Sequence, residues 1–191
     1  MRSLKLAAAA VTATILLTGC GGDQATDSAA GTGAAAANAA GTFNDADVAF
    51  AQHMIPHHRQ AVQMAALVEK RAATGEVKDL ARWIQSAQQP EIDTMNGWLT
   101  TWGHTPPAPT DHAAMAGMAT GADLAALEAA SGAAFDKKFL TLMIKHHEAA
   151  VTTAQQEVDA GWDATARTLA QKIVTDQQAE ITTMKGLLAK L

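Results

Sequence analysis

Tyrosine is absent, cysteine occurs once, and aromatic residues make up only 4% of the 191-residue chain. With Cys20 alone, no disulfide can form within the chain, and no set of thiolates can act as metal ligands or nucleophile. Alternating runs of β-branched residues are also missing, which argues against strands. Charged residues are 17% of the total and sum to −5, which argues against nucleic acid as the partner.

What is present begins with an address. Arg2 and Lys5 precede an apolar run, Leu6 to Leu17, that ends in Leu17-Thr18-Gly19-Cys20. The run is shorter than the roughly 20 apolar residues that span a bilayer, so residues 1–19 read as a removed signal of the lipoprotein type. Acylated Cys20 would then anchor the protein to the membrane on its extracytoplasmic face. Loss of Arg2 and Lys5 takes the formal charge from −5 to −7. Residues 20–41 are almost all Ala, Gly, Thr and Ser and read as a tether without enough apolar surface to fold. Residues 42–191 have the size and the apolar content of one domain.

That domain is internally duplicated. At an offset of 89 positions, Asp47 to Leu99 overlies Asp136 to Leu188 without a gap. Phe50, Met54, Ile55, His57, His58, Ala61 and Val62 recur as Phe139, Met143, Ile144, His146, His147, Ala150 and Val151. Further along, Gln88, Glu91, Ile92 and Met95 recur as Gln177, Glu180, Ile181 and Met184. Apolar residues follow a helical period in two segments per copy, so each repeat, 45–102 and 135–191, is a helical hairpin. Asn44 or Asp45 is the expected N-cap of the first helix, Thr74-Gly75 the break before the second, and the turn of the second repeat centres near Asp163. Two hairpins make an all-α, four-helix bundle. The linker, 103–134, is long for a helix connection, with a short helix expected over Asp123 to Ala130 and Gly132 closing it.

Folding each hairpin antiparallel sets His57 level with Glu91 and Met54 with Met95. In the second copy His146 then faces Glu180, and Met143 faces Met184. Neighbouring histidines cannot share a helix face, and the spacing leaves open which of His57 and His58, or of His146 and His147, turns inward. Imidazole binds several transition metals, whereas thioether sulfur is soft and favours Cu(I) or Ag(I), so the mixture points to copper. Met64 lies near the first cluster. His112, Met115 and Met118 in the linker offer a third group of soft donors. Gln88, Glu91, Gln177 and Glu180 are expected to orient the histidines rather than ligate. Pro56 and Pro90, unmatched in the second repeat, are expected to bend the first hairpin open at its histidines.

Met54-Ile55-Pro56-His57-His58 with Ala61-Val62 and Met64-Ala65, and Phe135-Asp136, Phe139-Leu140, Met143-Ile144 and His146-His147, resemble the two motifs of the domain of unknown function 305 family. The resemblance covers about Asp45 to Leu191, and Thr153-Ala154 departs from the second Met-Ala of the pattern. It implies a ferritin-like fold in an extracytoplasmic protein and includes copper-binding resistance proteins. The expected function is copper capture, as Cu(I) or Cu(II), for buffering, resistance or delivery, without catalysis. The alternatives are a ferritin-like metal-dependent oxidase, a haem-binding bundle and a purely structural one. No Glu-x-x-His pair of the di-iron type occurs.

Overall fold

A computed structural model describes residues 42–108 and 115–191, all helix and loop. Cys20, the signal, the tether and His112 lie outside the described residues. Helix α1 spans Asp45–Arg71, α2 Gly75–Thr101, α3 Gly121–Ala129, α4 Gly132–Ala160 and α5 Ala164–Leu188.

Local chemistry accounts for the ends. Asn44 caps α1 by accepting the amides of Ala46 and Asp47, while Asp47 accepts the Asn44 amide at 2.6 Å, a reciprocal capping box. Thr120 and Asp123 make the same box on α3, and Asp163 caps α5 through Thr165 and Ala166. Helices α1 and α2 continue through Pro56 and Pro90 without a break. Gly132 opens α4 instead of closing α3, so the third long helix starts three residues before the expected boundary. Its φ of +61° lies in the left-handed region, which lets the chain turn from α3 into α4 across only Ala130 and Ser131.

The four long helices form the bundle. Helix α1 packs on α2, α4 on α5, and α1 and α4 pack on each other, whereas α2 and α5 barely touch. The start of α1 meets the end of α4, so these two run antiparallel. Since α2 ends at the opposite end from the start of α4, the connection between the hairpins travels the length of the bundle. One long crossover of this kind is the ferritin-like arrangement.

Two buried aspartates at equivalent repeat positions lock the hairpins together. Asp136 on α4 accepts the amides of Ala73 and Thr74 and the Thr74 hydroxyl, all from the α1–α2 turn. Asp47 on α1 accepts the amides of Trp162 and Asp163 from the α4–α5 turn. Each repeat thus satisfies the otherwise unpaired amides at the tip of the other.

The core is split in two. One apolar cluster contains Met64, Val68, Ile84, Phe135, Phe139, Met143 and Met184, and the other Phe50, Met54, Ile55, Met95, Leu99 and Ile173. Between them, at the level of His57 and His146, lies a layer of buried polar side chains.

A second buried polar feature sits at the end of α4. Glu157 is 1% exposed, no N–H or O–H reaches its carboxyl oxygens, and it occupies the space that a Cβ on Gly161 would need. Burial, then the adjoining Asp47, pushes its pKa up to about 8, so it holds a proton that it can donate to Asp47. Unfolded, the carboxyl loses that proton near its ordinary value of 4.5. Between these two values the native state binds the extra proton, so this residue's contribution to stability falls as pH rises. Glu157→Gln, which keeps the shape and the donor, should be nearly as stable as the parent at pH 5 and more stable at pH 8, by about 1–3 kcal/mol. Urea unfolding of both chains across that range measures it, and parallel curves would contradict the assignment.

Candidate metal centre

Both histidines of each pair are buried, with His57 and His146 4% and 1% exposed and His58 and His147 fully enclosed. Their directions differ because neighbouring residues on a helix diverge by about 100°. His57 and His146 point along the α1–α4 contact and meet, ring centroids 3.7 Å apart and planes tilted by 46°. His58 turns to α2, where its Nε2–H donates to Glu91 Oε2 at 2.9 Å, and His147 turns to α5, donating to Glu180 Oε2 at 2.7 Å. The expected pairing of His57 with Glu91 and His146 with Glu180 is therefore corrected by one residue. The hairpin register was right, but the helix face, not the level, selects the partner.

With Nε2 committed to a carboxylate, each of His58 and His147 keeps its lone pair on Nδ1, which has no hydrogen-bond partner. Neither ring nitrogen of His57 or His146 has a well-formed hydrogen bond, although the Ala116 backbone comes near His57 and the His57 backbone near His146. Burial, reinforced by His58 and His147, lowers the His57 pKa to about 3. Burial and the three other imidazoles hold His146 well below the usual range too. Two imidazoles kept neutral by burial, His57 and His146, and the unpartnered Nδ1 atoms of His58 and His147 thus lie in one layer as nitrogen donors that no protein hydrogen satisfies.

The carboxylates are engaged elsewhere. Burial works against ionisation of Glu91, but hydrogen bonds from His58 and Lys172 outweigh it and lower its pKa. Lys172 reaches Glu91 Oε1 at 2.9 Å from α5. The repeat equivalent of Lys172 is Trp83, 63% exposed, and Glu180 instead lines a groove of about 570 Å³ with Leu80, Trp83 and Leu187. Gln88 and Gln177 are buried in the layer, and both polar atoms of Gln88 and the Gln177 carbonyl lack partners.

The predicted thioethers divide. Met54 and Met143 sit one turn before the inward histidines on their own helices, and Met95 and Met184 one turn beyond the glutamates. All four are buried, at 0–1% exposure. They cover the layer from both sides, Met54 and Met95 in one apolar cluster and Met143 and Met184 in the other. Met64 is not at this level. It lies two helical turns, about 10 Å, past His57 and packs with Phe135 and Phe139.

The linker does not gather its donors as a separate group among the described residues. Met118 is buried at 9%, whereas Met115 turns to α1 and lines a pocket of about 200 Å³ with His53, Met54, His57, Ala116 and Thr153. His53 is a functional candidate that periodicity alone does not rank, since its repeat equivalent is Leu142. The signal that finds it is its four-residue spacing from His57, which places both imidazoles on one helix face. Among the described residues no three His, Asp or Glu side chains converge as a metal cage. Beside these imidazoles the remaining donors at this level are thioethers, which suit a soft ion.

These features define a class: a ferritin-like four-helix bundle with a duplicated His/Met layer across its middle. The chain belongs to the family described as a domain of unknown function, DUF305, which matches residues 47–188. A crystal structure of a DUF305 fragment from Deinococcus radiodurans is 37% identical, covers 78% of this chain and 98% of its own, and superposes with a TM-score of 0.71. A DUF305 protein from Streptomyces coelicolor, described as secreted, is 34% identical over 76% of this chain and 93% of its own, with a TM-score of 0.70. CopM, solved in a Cu(I)-bound form, is 34% identical over 75% of this chain and 96% of its own, with a TM-score of 0.65, and is also known in Cu(II)- and Ag-bound forms. No curated protein matches the sequence.

The lowered pKa values generate a direct expectation. In the metal-free protein, imidazole ¹⁵N NMR should find His57 and His146 neutral at pH 5, where an ordinary histidine is charged. Protonation of either ring near pH 6.5 would show that the layer is wetter than its burial implies.

Proposed function

We propose that the protein captures a soft transition-metal ion, Cu(I) foremost, outside the cytoplasm, and holds it for buffering, resistance or delivery without catalysing a reaction. One observation carries this reading: the centre of the bundle holds six imidazole nitrogens with no hydrogen-bond partner. Each buried polar atom left unpaired costs about 1–3 kcal/mol, and apolar side chains in the same places would avoid that. A metal ion uses the lone pairs that nothing else in the layer uses.

Donor chemistry supports the choice of ion. The free donors are neutral nitrogen and thioether sulfur, while Glu91 and Glu180 are taken by His58, His147 and Lys172. A di-iron centre would want those carboxylates, and zinc gains little from the thioethers. That also weakens the oxidase alternative. A haem held between His57 and His146 finds no room, because their rings are already in contact. The silver- and copper-bound forms of CopM, a relative with the same fold, add support of an independent kind.

The extracytoplasmic setting rests on the Leu17 to Cys20 signal and on the secreted description of the Streptomyces relative. Cys20→Ser should release the protein from the membrane into the soluble exported fraction, and unchanged membrane association would refute the lipid anchor.

For the metal, competition titrations with chromogenic chelators should rank Cu(I) and Ag(I) above Zn(II). The double variant His57→Ala/His146→Ala should lose most Cu(I) affinity while remaining helical by circular dichroism. Tighter zinc than Cu(I) binding, or full Cu(I) affinity in the double variant, would overturn the proposal.

A further inference from the structure

We infer that His53 and Met115, with Met54 and His57, form an outer capture site for Cu(I), through which the ion reaches the buried His57–His146 pair. This rests on the metal-binding reading above and adds to it a place, a direction of access and a difference between the repeats.

The pocket itself carries the inference. Its volume is about 200 Å³, and four of its six lining residues are His53, Met54, His57 and Met115. No carboxylate is among them. The donors grade from outside inward: His53 is exposed, Met115 is half-buried, and Met54 and His57 are buried. His57, whose ring has no well-formed hydrogen bond, stands at the inner wall. His53 and His57 stand four residues apart on α1, so their Cβ atoms lie about 5–6 Å from one another on one face. That is the spacing with which two histidines of one helix share a single ion.

Met115 is not a free-swinging ligand. Gln60, 2% exposed, grips the linker backbone by donating to the Ala119 carbonyl at 3.0 Å and accepting the Ala119 amide at 2.7 Å. Gly117, at φ +79°, lies so close to α4 that a Cβ there would come within 2.3 Å of Ala149 Cβ. The Met118 amide closes the intervening turn on the Met115 carbonyl. A thioether held in place by its backbone loses less entropy on ligation than one in a loose loop.

Only the first repeat has these parts. At the second repeat's equivalents of His53 and Gln60 stand Leu142 and Ala149, and the single linker is spent on the first. Ala149 is the small residue that gives Gly117 its room. Two imidazoles and two thioethers without a negative charge suit a monovalent d¹⁰ ion, which accepts neutral soft donors and low coordination numbers.

The test uses the full chain with Cu(I) or Ag(I) alone. In protein labelled at the methionine methyls, substoichiometric Ag(I) should shift the Met115 and Met54 resonances first, ahead of Met143. His53→Leu, which installs the residue of the second repeat, and Met115→Leu should each slow Cu(I) uptake from a chelator complex by about tenfold or more. Their melting temperatures should stay near the parent's, since neither side chain belongs to the core. If both variants take up Cu(I) at the parental rate while His57→Ala/His146→Ala loses binding, the capture site is refuted and the central metal reading stands. An unmoved Met115 resonance at one equivalent of Ag(I) also refutes the capture site. A parent chain that binds neither ion refutes both.

Discussion

The contact of His57 with His146 is the point about which this molecule is organised. Each ring comes from the middle of a long helix, each is buried, and each is kept neutral by desolvation. Two charged imidazoles could not share that space, and two apolar residues would fill it at lower cost. Everything around the pair serves to hold it there. The aspartate clamps at the two ends fix how α1 and α4 slide, the glutamates on α2 and α5 fix the neighbouring histidines, and apolar clusters above and below keep water out.

Duplication makes that economy possible. A single hairpin carries half a layer and two unsatisfied turn amides, and neither half is complete without the other. Asp47 and Asp136 reach across in opposite directions, so any drift in the pairing of the repeats breaks buried hydrogen bonds at both ends. Two departures from the repeat fall on the surface side of the layer. Lys172 shields Glu91 where Trp83 leaves Glu180 on an open groove, and the linker crosses over the histidines of the first repeat only. Glu157, facing Asp47, has Val68 as its repeat equivalent, so the α4–α5 tip carries a proton-sharing carboxyl pair that the α1–α2 tip lacks.

Much of this was legible in the chain. Helical periodicity and the gapless overlay gave four long helices, Asn44 and Asp163 stand as side-chain caps at two of their starts, and Thr74 precedes a third without capping it. The histidine pairs, Gln88 and Gln177, and Glu91 and Glu180, shared by both repeats, lie buried in the central layer. Three readings needed the fold. Register arithmetic treats a helix as a line, so it placed His57 opposite Glu91 when rotation about the helix axis gives that partner to His58. Sequence proximity grouped Met64 with the histidines, although two turns of rise separate them. Asp47 and Asp136 recur in the repeat without disclosing that each binds the other's hairpin.

The sequence by itself determined the secondary structure, the duplication and the chemical kind of the site, because these depend on residue type and on spacing along one helix. Only the tertiary structure decided that the two inward imidazoles touch, that Met115 leaves the linker group to join His53 and His57, and that the two repeats differ in access. Those facts depend on the crossing of α1 with α4 and on the path of the linker over them, and no spacing within a single helix encodes either.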